Sequence, residues 1–79
     1  STSMTEKEWL DIFSENLREI AEEYGYTQGD LAYSTNVTKS AMNCYFKGTR
    51  IPGIKALVNM SYELDIPMNE FIDFGSDID

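Results

Sequence analysis

Polar and basic side chains recur at spacings of three and four residues in the middle of the chain, and one predicted helix carries them all on its outer side: Lys39, Ser40, Asn43, Cys44 and Lys47. This outer face is therefore polar and mildly basic, and its side chains are hydrogen-bond donors and acceptors with the exception of Cys44, which is poor as either.

The residue inventory argues against an enzyme. The chain has no His and one Cys, and it contains neither a glycine-rich phosphate loop nor a nucleophile elbow. One cysteine cannot form an internal disulfide or a thiolate metal cage, so the sequence predicts no metal, no cofactor and a reducing, cytoplasmic setting. The apolar runs are too short to cross a membrane, and no secretory signal is evident.

Charge is distributed unevenly. The formal net charge is -8, but residues 1–26 carry seven acids and two bases, residues 27–55 carry one acid and four bases, and residues 56–79 carry six acids and no base. The three segments therefore have net charges of -5, +3 and -6. A basic middle segment between acidic flanks is typical of a domain that presents one face to phosphate and keeps its other faces soluble.

Hydrophobic periodicity predicts an all-α fold of five helices in a single compact domain, because 79 residues suffice for one core. Thr5 and Glu8 form a capping-box pattern ahead of the first helix, and Gly25 ends it. The apolar positions of that helix follow helical spacing: Trp9, Ile12, Phe13, Leu17, Ile20, Ala21 and Tyr24. We assign residues 1–4 to a disordered start or an expression remnant, residues 5–73 to the domain, and residues 74–79 to an acidic tail.

Two short helices follow, joined by a tight turn. Thr27 is a suitable N-cap for the second helix, and Thr38 caps the third. Between them, Asn36 can adopt the left-handed conformation that the turn requires, and Val37 can plug the turn. The third helix points Met42 inward and ends at Gly48.

The remaining helices are predicted from an apolar stripe and a proline. The fourth has an inward stripe, namely Leu57, Met60, Ser61 and Leu64. Pro67 then suits the first turn of a last short helix that carries Met68, Phe71 and Ile72.

From Leu17 to Ile72 the chain resembles the lambda repressor-like, Cro-type helix-turn-helix domain, also called the xenobiotic response element family. Three stretches carry the resemblance, and they are Thr27-Gln28-Gly29-Asp30-Leu31-Ala32, Asn36-Val37-Thr38-Lys39-Ser40 and Lys47-Gly48-Thr49-Arg50-Ile51-Pro52. The resemblance implies a compact five-helix domain in which the second helix of the pair lies in the major groove of DNA.

The resemblance also implies contact residues. It implies that base edges are touched by four side chains of the third helix: Lys39, Ser40, Asn43 and Cys44. It further implies DNA backbone contacts, in which Gln28 anchors a phosphate, joined by Thr38, Lys47, Thr49, Arg50 and Lys55. Members of the family commonly have an Arg where this chain has Ala21 and a Glu where it has Phe46. Both ends of an internal ion pair are thus apolar here, and we expect Phe46 to pack over Ala21.

Two functional hypotheses remain. The first is a sequence-specific transcriptional regulator that binds double-stranded DNA, a phage or mobile-element type repressor that forms a homodimer through Phe71, Ile72 and Phe74. The alternative is a regulator that keeps the fold without binding DNA and modulates another repressor, with a protein partner bound through the acidic and apolar C-terminal surface that also includes Ile78. The two hypotheses differ in the salt dependence of DNA binding.

Overall fold

The computed structural model describes residues 4–73, and this part of the chain is all-α. It contains five helices and no strand, which confirms the predicted fold class. The helices are α1 (Glu6–Tyr24), α2 (Gln28–Ser34), α3 (Lys39–Lys47), α4 (Ile54–Leu64) and α5 (Met68–Phe71). The predicted acidic tail, 74–79, and the first three residues lie outside the described residues.

Helix α1 is bounded by the predicted signals. The Thr5 hydroxyl accepts from the amide of Glu8, and the Glu8 carboxylate accepts from the amide of Thr5. Gly25 ends the helix with φ 76°, in the left-handed region that favours glycine. Tyr24 is a correction, because it does not belong to the core: its side chain is 44% exposed and stacks on Tyr26, and its hydroxyl donates to Glu70.

One hydrophobic core joins all five helices. Phe13, which is fully buried, lies near its centre, stacks on Trp9 at 5.2 Å between ring centroids and meets Tyr45 edge-on at 6.5 Å. Each helix contributes buried side chains to the same cluster, among them Leu17, Leu31, Met42, Met60 and Phe71. Aromatic pairs of this geometry stabilise a core beyond the area that they bury.

The last helix is held against the first. Asn16 on α1 donates from Nδ2 to the carbonyl oxygens of Phe71 and Asp73, at 3.1 and 2.9 Å. The turn between α4 and α5 begins at Asp65, whose φ of 54° is left-handed. In this turn the Ser61 hydroxyl donates to the carbonyl oxygen of Ile66. Within residues 4–73 no helix combines the length and the hydropathy that a lipid bilayer would require of it.

Candidate nucleic-acid interface

Helix α2 and the turn that follows it have the predicted caps. Thr27 accepts from the amide of Asp30 at 3.0 Å, and the Asp30 carboxylate accepts from the amide of Thr27 at 3.1 Å, which makes a second capping box. Asn36 adopts φ 57°, as the turn chemistry predicts, and Val37 packs against the core. Because the amide of Val37 donates to the carbonyl oxygen of Ala32, the turn is fastened back onto α2.

Helix α3 is positioned by its two ends. Thr38 caps it by accepting from the amide of Ala41 at 3.1 Å, and Gly48 ends it with φ 73°. A Cβ atom at Gly48 would lie 3.0 Å from Ser14 Oγ and 3.3 Å from the carbonyl oxygen of Leu10. Glycine is therefore required there for space as well as for backbone conformation, and it lets α3 end in close contact with α1.

The two faces of α3 differ as the sequence predicts. Ala41, Met42 and Tyr45 are buried in the core. On the other side, three side chains are exposed and two are half-buried; the exposed ones are Lys39, Ser40 and Lys47, and the half-buried ones are Asn43 and Cys44. The structure thus brings the predicted base-contact residues together on one accessible face.

A hydrogen bond links the predicted phosphate anchor to this face. Gln28 Nε2 donates to Asn43 Oδ1 at 3.4 Å, and both side chains are half-buried. The bond uses the acceptor of the Asn43 amide and leaves its NH2 group to donate elsewhere. The first residue of α2 thereby restrains the side-chain orientation of the middle residue of α3.

The other predicted backbone-contact residues lie at the two ends of α3, in the loop after it and at the start of α4, and all are exposed: Thr38, Lys47, Thr49, Arg50 and Lys55. Within residues 4–73 the ion pair present joins Lys7 to Asp11 on α1, so the four cations of residues 27–55 are not neutralised by a described acid. Thr49 Oγ1 donates to the carbonyl oxygen of Cys44 at 3.4 Å, which directs this hydroxyl towards the end of α3. The cations are accessible, and their roles as contacts remain predictions.

The acidic residues gather elsewhere. A surface hollow between α1 and α5 is lined by Glu19, Glu23, Glu70 and Asp73, together with Asn16. At its edge, partial desolvation and then the negative charge of Glu70 raise the pKa of Tyr24 above its usual value. Four acidic side chains therefore lie together on the α1 and α5 side of the fold.

Sequence reasoning missed the role of Arg18. Its guanidinium Nη1 donates to the carbonyl oxygen of Phe46 at 2.7 Å, which satisfies one of the free carbonyl groups at the end of α3. Phe46 itself is half-buried and packs against the core cluster that contains Ala21, in line with the packing expected from the two apolar replacements. A lone arginine among acids on α1 gave no signal of a contact 28 residues away.

The predicted homodimer residues require a correction. Phe71 is fully buried in the core of its own domain, so it is not available as a contact with a second chain. It is buried because α5 packs against α1 and α4 and contributes this side chain to the common core. Ile72 is exposed, whereas Phe74 and Ile78 lie outside the described residues.

No metal-binding group is evident in the part of the chain that the structure describes. Within residues 4–73 no three His, Cys, Asp or Glu side chains are grouped so that they could hold a metal ion. Cys44 is a free thiol, half-buried on α3.

Comparison with known proteins supports a relationship with helix-turn-helix regulators. The chain is 34% identical over 58 residues to the uncharacterized HTH-type transcriptional regulator YqaE of Bacillus subtilis. The match covers 73% of this chain and 50% of YqaE, so the chain spans about half the length of the relative that it matches. No family model and no solved structure matches the chain. The capped α2, the tight turn and the exposed face of α3 agree with a helix-turn-helix regulator.

Proposed function

We propose that this chain is a sequence-specific, double-stranded DNA-binding transcriptional regulator of the Cro-type repressor kind, which acts as a homodimer in the cytoplasm. Its recognition helix is α3, which enters the major groove with Lys39, Ser40, Asn43 and Cys44 towards the bases. Phosphate contacts from Gln28, Thr38, Lys47, Thr49 and Arg50 set its register.

One observation carries the proposal. A helix-turn-helix with two capped helices presents an outward face of α3 that is polar and basic and bears no ion pair to a described acid. The major groove is about 12 Å wide and admits one α-helix, and its base edges offer the acceptors that lysine and asparagine side chains recognise. The named regulator YqaE, similar over 58 residues, favours the same reading.

The net charge of -8 does not oppose the proposal, because residues 27–55 carry four of the six bases and one of the 14 acids. Four other acids line the hollow between α1 and α5, to which no residue of α3 contributes. A duplex approaching α3 therefore meets a segment whose own net charge is positive.

The experiment that tests the proposal is selection of bound sequences from a random pool of duplex DNA, at low and at moderate salt. An enriched two-fold symmetric sequence is the expected result, with log affinity falling against log salt by about 0.9 per phosphate contact. Retention of no sequence above background at low salt would overturn the proposal and leave the protein-binding alternative.

A matched pair of variants sharpens this test. Lys47→Ala removes a free cation at the end of α3 and should weaken binding to all sequences. Lys7→Ala changes the net charge equally but removes a cation that is paired with Asp11 on α1, so its affinity should stay close to that of the unchanged chain. Equal losses of DNA affinity in the two variants would mean that the affinity depends on net charge alone.

A further inference from the structure

The hydrogen bond between Gln28 and Asn43 determines which atoms the outer face of α3 can offer to a ligand. Gln28 Nε2 donates to Asn43 Oδ1 at 3.4 Å. Because the oxygen and the nitrogen of a planar amide lie on opposite edges, Oδ1 faces α2 and Nδ2 faces away from it. Within residues 4–73 no acceptor is bonded to Asn43 Nδ2, so its two hydrogens remain for a ligand.

Asn43 lies in the middle of the outer face of α3. A helix turns about 100° per residue, so Asn43 points within about 40° of the exposed Lys39 and Lys47. By the same rotation it points about 160° away from the buried Tyr45. A ligand that meets this face therefore meets the NH2 group of Asn43 between two cations.

The face around Asn43 offers donors rather than acceptors. Helix α3 contains no Asp, Glu, Gln or His, and its lysines carry donors only. The one acid of residues 27–55 is Asp30, whose carboxylate accepts from the amide of Thr27. With Asn43 Oδ1 turned towards α2, the Ser40 hydroxyl is the one strong acceptor that α3 exposes. A ligand that fits this face presents acceptors of its own.

We propose that Asn43, oriented by Gln28, reads guanine in the major groove. Guanine presents two acceptors there, N7 and O6, and both suit an NH2 group. Thymine presents a single acceptor. An asparagine pairs with adenine through one acceptor and one donor, and the bond from Gln28 removes that acceptor. Cytosine presents an amino donor, which would meet Nδ2 donor against donor.

This specificity rests on the proposed function, because it requires α3 to lie in a major groove, but the orientation of the two amides can be measured without DNA. In NMR spectra of the free chain, the side-chain NH2 hydrogens of Gln28 should exchange with water more slowly than those of Asn43, by a factor on the order of three. Asn16, whose Nδ2 donates to two carbonyl oxygens, and the exposed Asn69 are the protected and unprotected references. Protection of Asn43 with Gln28 unprotected would overturn the proposal.

The base itself is identified by selecting bound duplexes with the unchanged chain and with Asn43→Ala. The position at which the variant loses preference is the one that Asn43 reads, and we expect guanine there, favoured at least about fivefold over adenine. Adenine at that position, or no position altered, would overturn this specificity and leave DNA binding intact. No enrichment with the unchanged chain would reject the proposed function, and this specificity with it.

Two isosteric substitutions should change the base. Asn43→Asp keeps an acceptor for Gln28 and turns a second oxygen outwards, so cytosine should replace guanine. Gln28→Glu carries acceptors only, so Asn43 must turn its NH2 group towards α2 and its oxygen outwards, and adenine or cytosine should replace guanine.

Both substitutions add one negative charge and should weaken binding to every sequence, so the measured quantity is the ratio of affinities for two duplexes that differ in this one base pair. Thr49→Asp is the control, because it adds the same charge in the loop after α3 and should leave the ratio unchanged. Circular dichroism verifies that the variants fold. An unchanged preference for guanine in Gln28→Glu would show that Gln28 does not orient Asn43, and would overturn the proposal.

Discussion

Helices α3 and α4 bury one face each in the same core and present opposite chemistries on their outer faces. The outer face of α3 is polar and basic, with Lys39 and Lys47 exposed. The outer face of α4 is apolar, with Ile54 and Tyr62 exposed. The difference teaches that core packing determines which residues point inward and leaves the chemistry of the outward residues free to differ from one helix to the next.

Both helices are held by the common core, so substitutions in that core should change the free energy of unfolding the most. Met42 on α3 and Met60 on α4 are both fully buried, and each substitution to alanine should cost about 2–5 kcal/mol through lost contacts and the cavity left behind. Urea unfolding at neutral pH measures both. Ser40→Ala on the outer face of α3 is the control, expected within about 0.5 kcal/mol of the unchanged chain. A small loss at Met60 alone would show that α4 does not share the core of α3.

The second-largest effect should be on DNA affinity, and it tests the proposed role of α3. Lys39→Ala should cost about 1–3 kcal/mol of binding free energy on the selected sequence and relax preference at one base position, because it removes the donor that the proposed function directs at a base edge. Arg50→Ala should weaken all sequences alike and reduce the salt slope by about one contact. Titration of a labelled duplex and of a scrambled duplex, followed by fluorescence anisotropy, measures both variants. Identical profiles for the two would mean that Lys39 contacts only the backbone.

The ends of the two helices provide a third and smaller comparison, because α3 ends on Gly48 and α4 ends on Asp65, both left-handed. A left-handed backbone costs a residue with a Cβ roughly 1–2 kcal/mol. Gly48→Ala should lower the free energy of unfolding by more than this, because the added Cβ also lies close to Ser14. Gly25→Ala is the control, because it has a similar φ and open space around it. Asp65→Gly should stabilise by up to about 1 kcal/mol. Thermal unfolding measures all three, and equal losses at Gly48 and Gly25 would show that Ser14 yields without cost.

The smallest expected effect is on the pH dependence of stability, and it comes from Glu8. Hydrogen bonds from the backbone and then the side chain of Thr5 lower the pKa of Glu8 below its usual value. A lowered pKa in the folded state gives stability that is present above the unfolded pKa and is lost as the pH falls through the folded value. The stability difference between the unchanged chain and Glu8→Gln, present at neutral pH, should therefore vanish in acid. The N-caps of α3 and α4 are Thr38 and Gly53 and involve no carboxylate, so this loss in acid should not occur at the starts of those two helices. If the stability difference between the unchanged chain and Glu8→Gln persists in acid, the capping box is not its source.

Sequence reasoning succeeded where a local signal determines the structure. The capping box at Thr5, the N-cap at Thr27 and the left-handed Asn36 were predictable, because a cap or a turn depends on three or four consecutive residues. The inner face of α3 followed from periodicity alone. These signals are sufficient to place the helix-turn-helix and its exposed polar face.

The failures concern residues whose partners are distant along the chain. Phe71 was assigned to a contact with a second chain, because four residues of helix give no indication of which side another helix covers. The apolar residues exposed on α4, among them Val58 and Tyr62, were overlooked because this helix already had an inward stripe. Arg18 reaches the end of α3 only in the folded chain.

The hydrogen bond from Arg18 to Phe46 ties the end of α3 to the first helix through a main-chain acceptor. A change at residue 18 would remove this tie without altering any side chain on the outer face of α3. Under the proposed function, a substitution on α1 would therefore change how α3 meets a duplex while the residues that contact DNA stay the same.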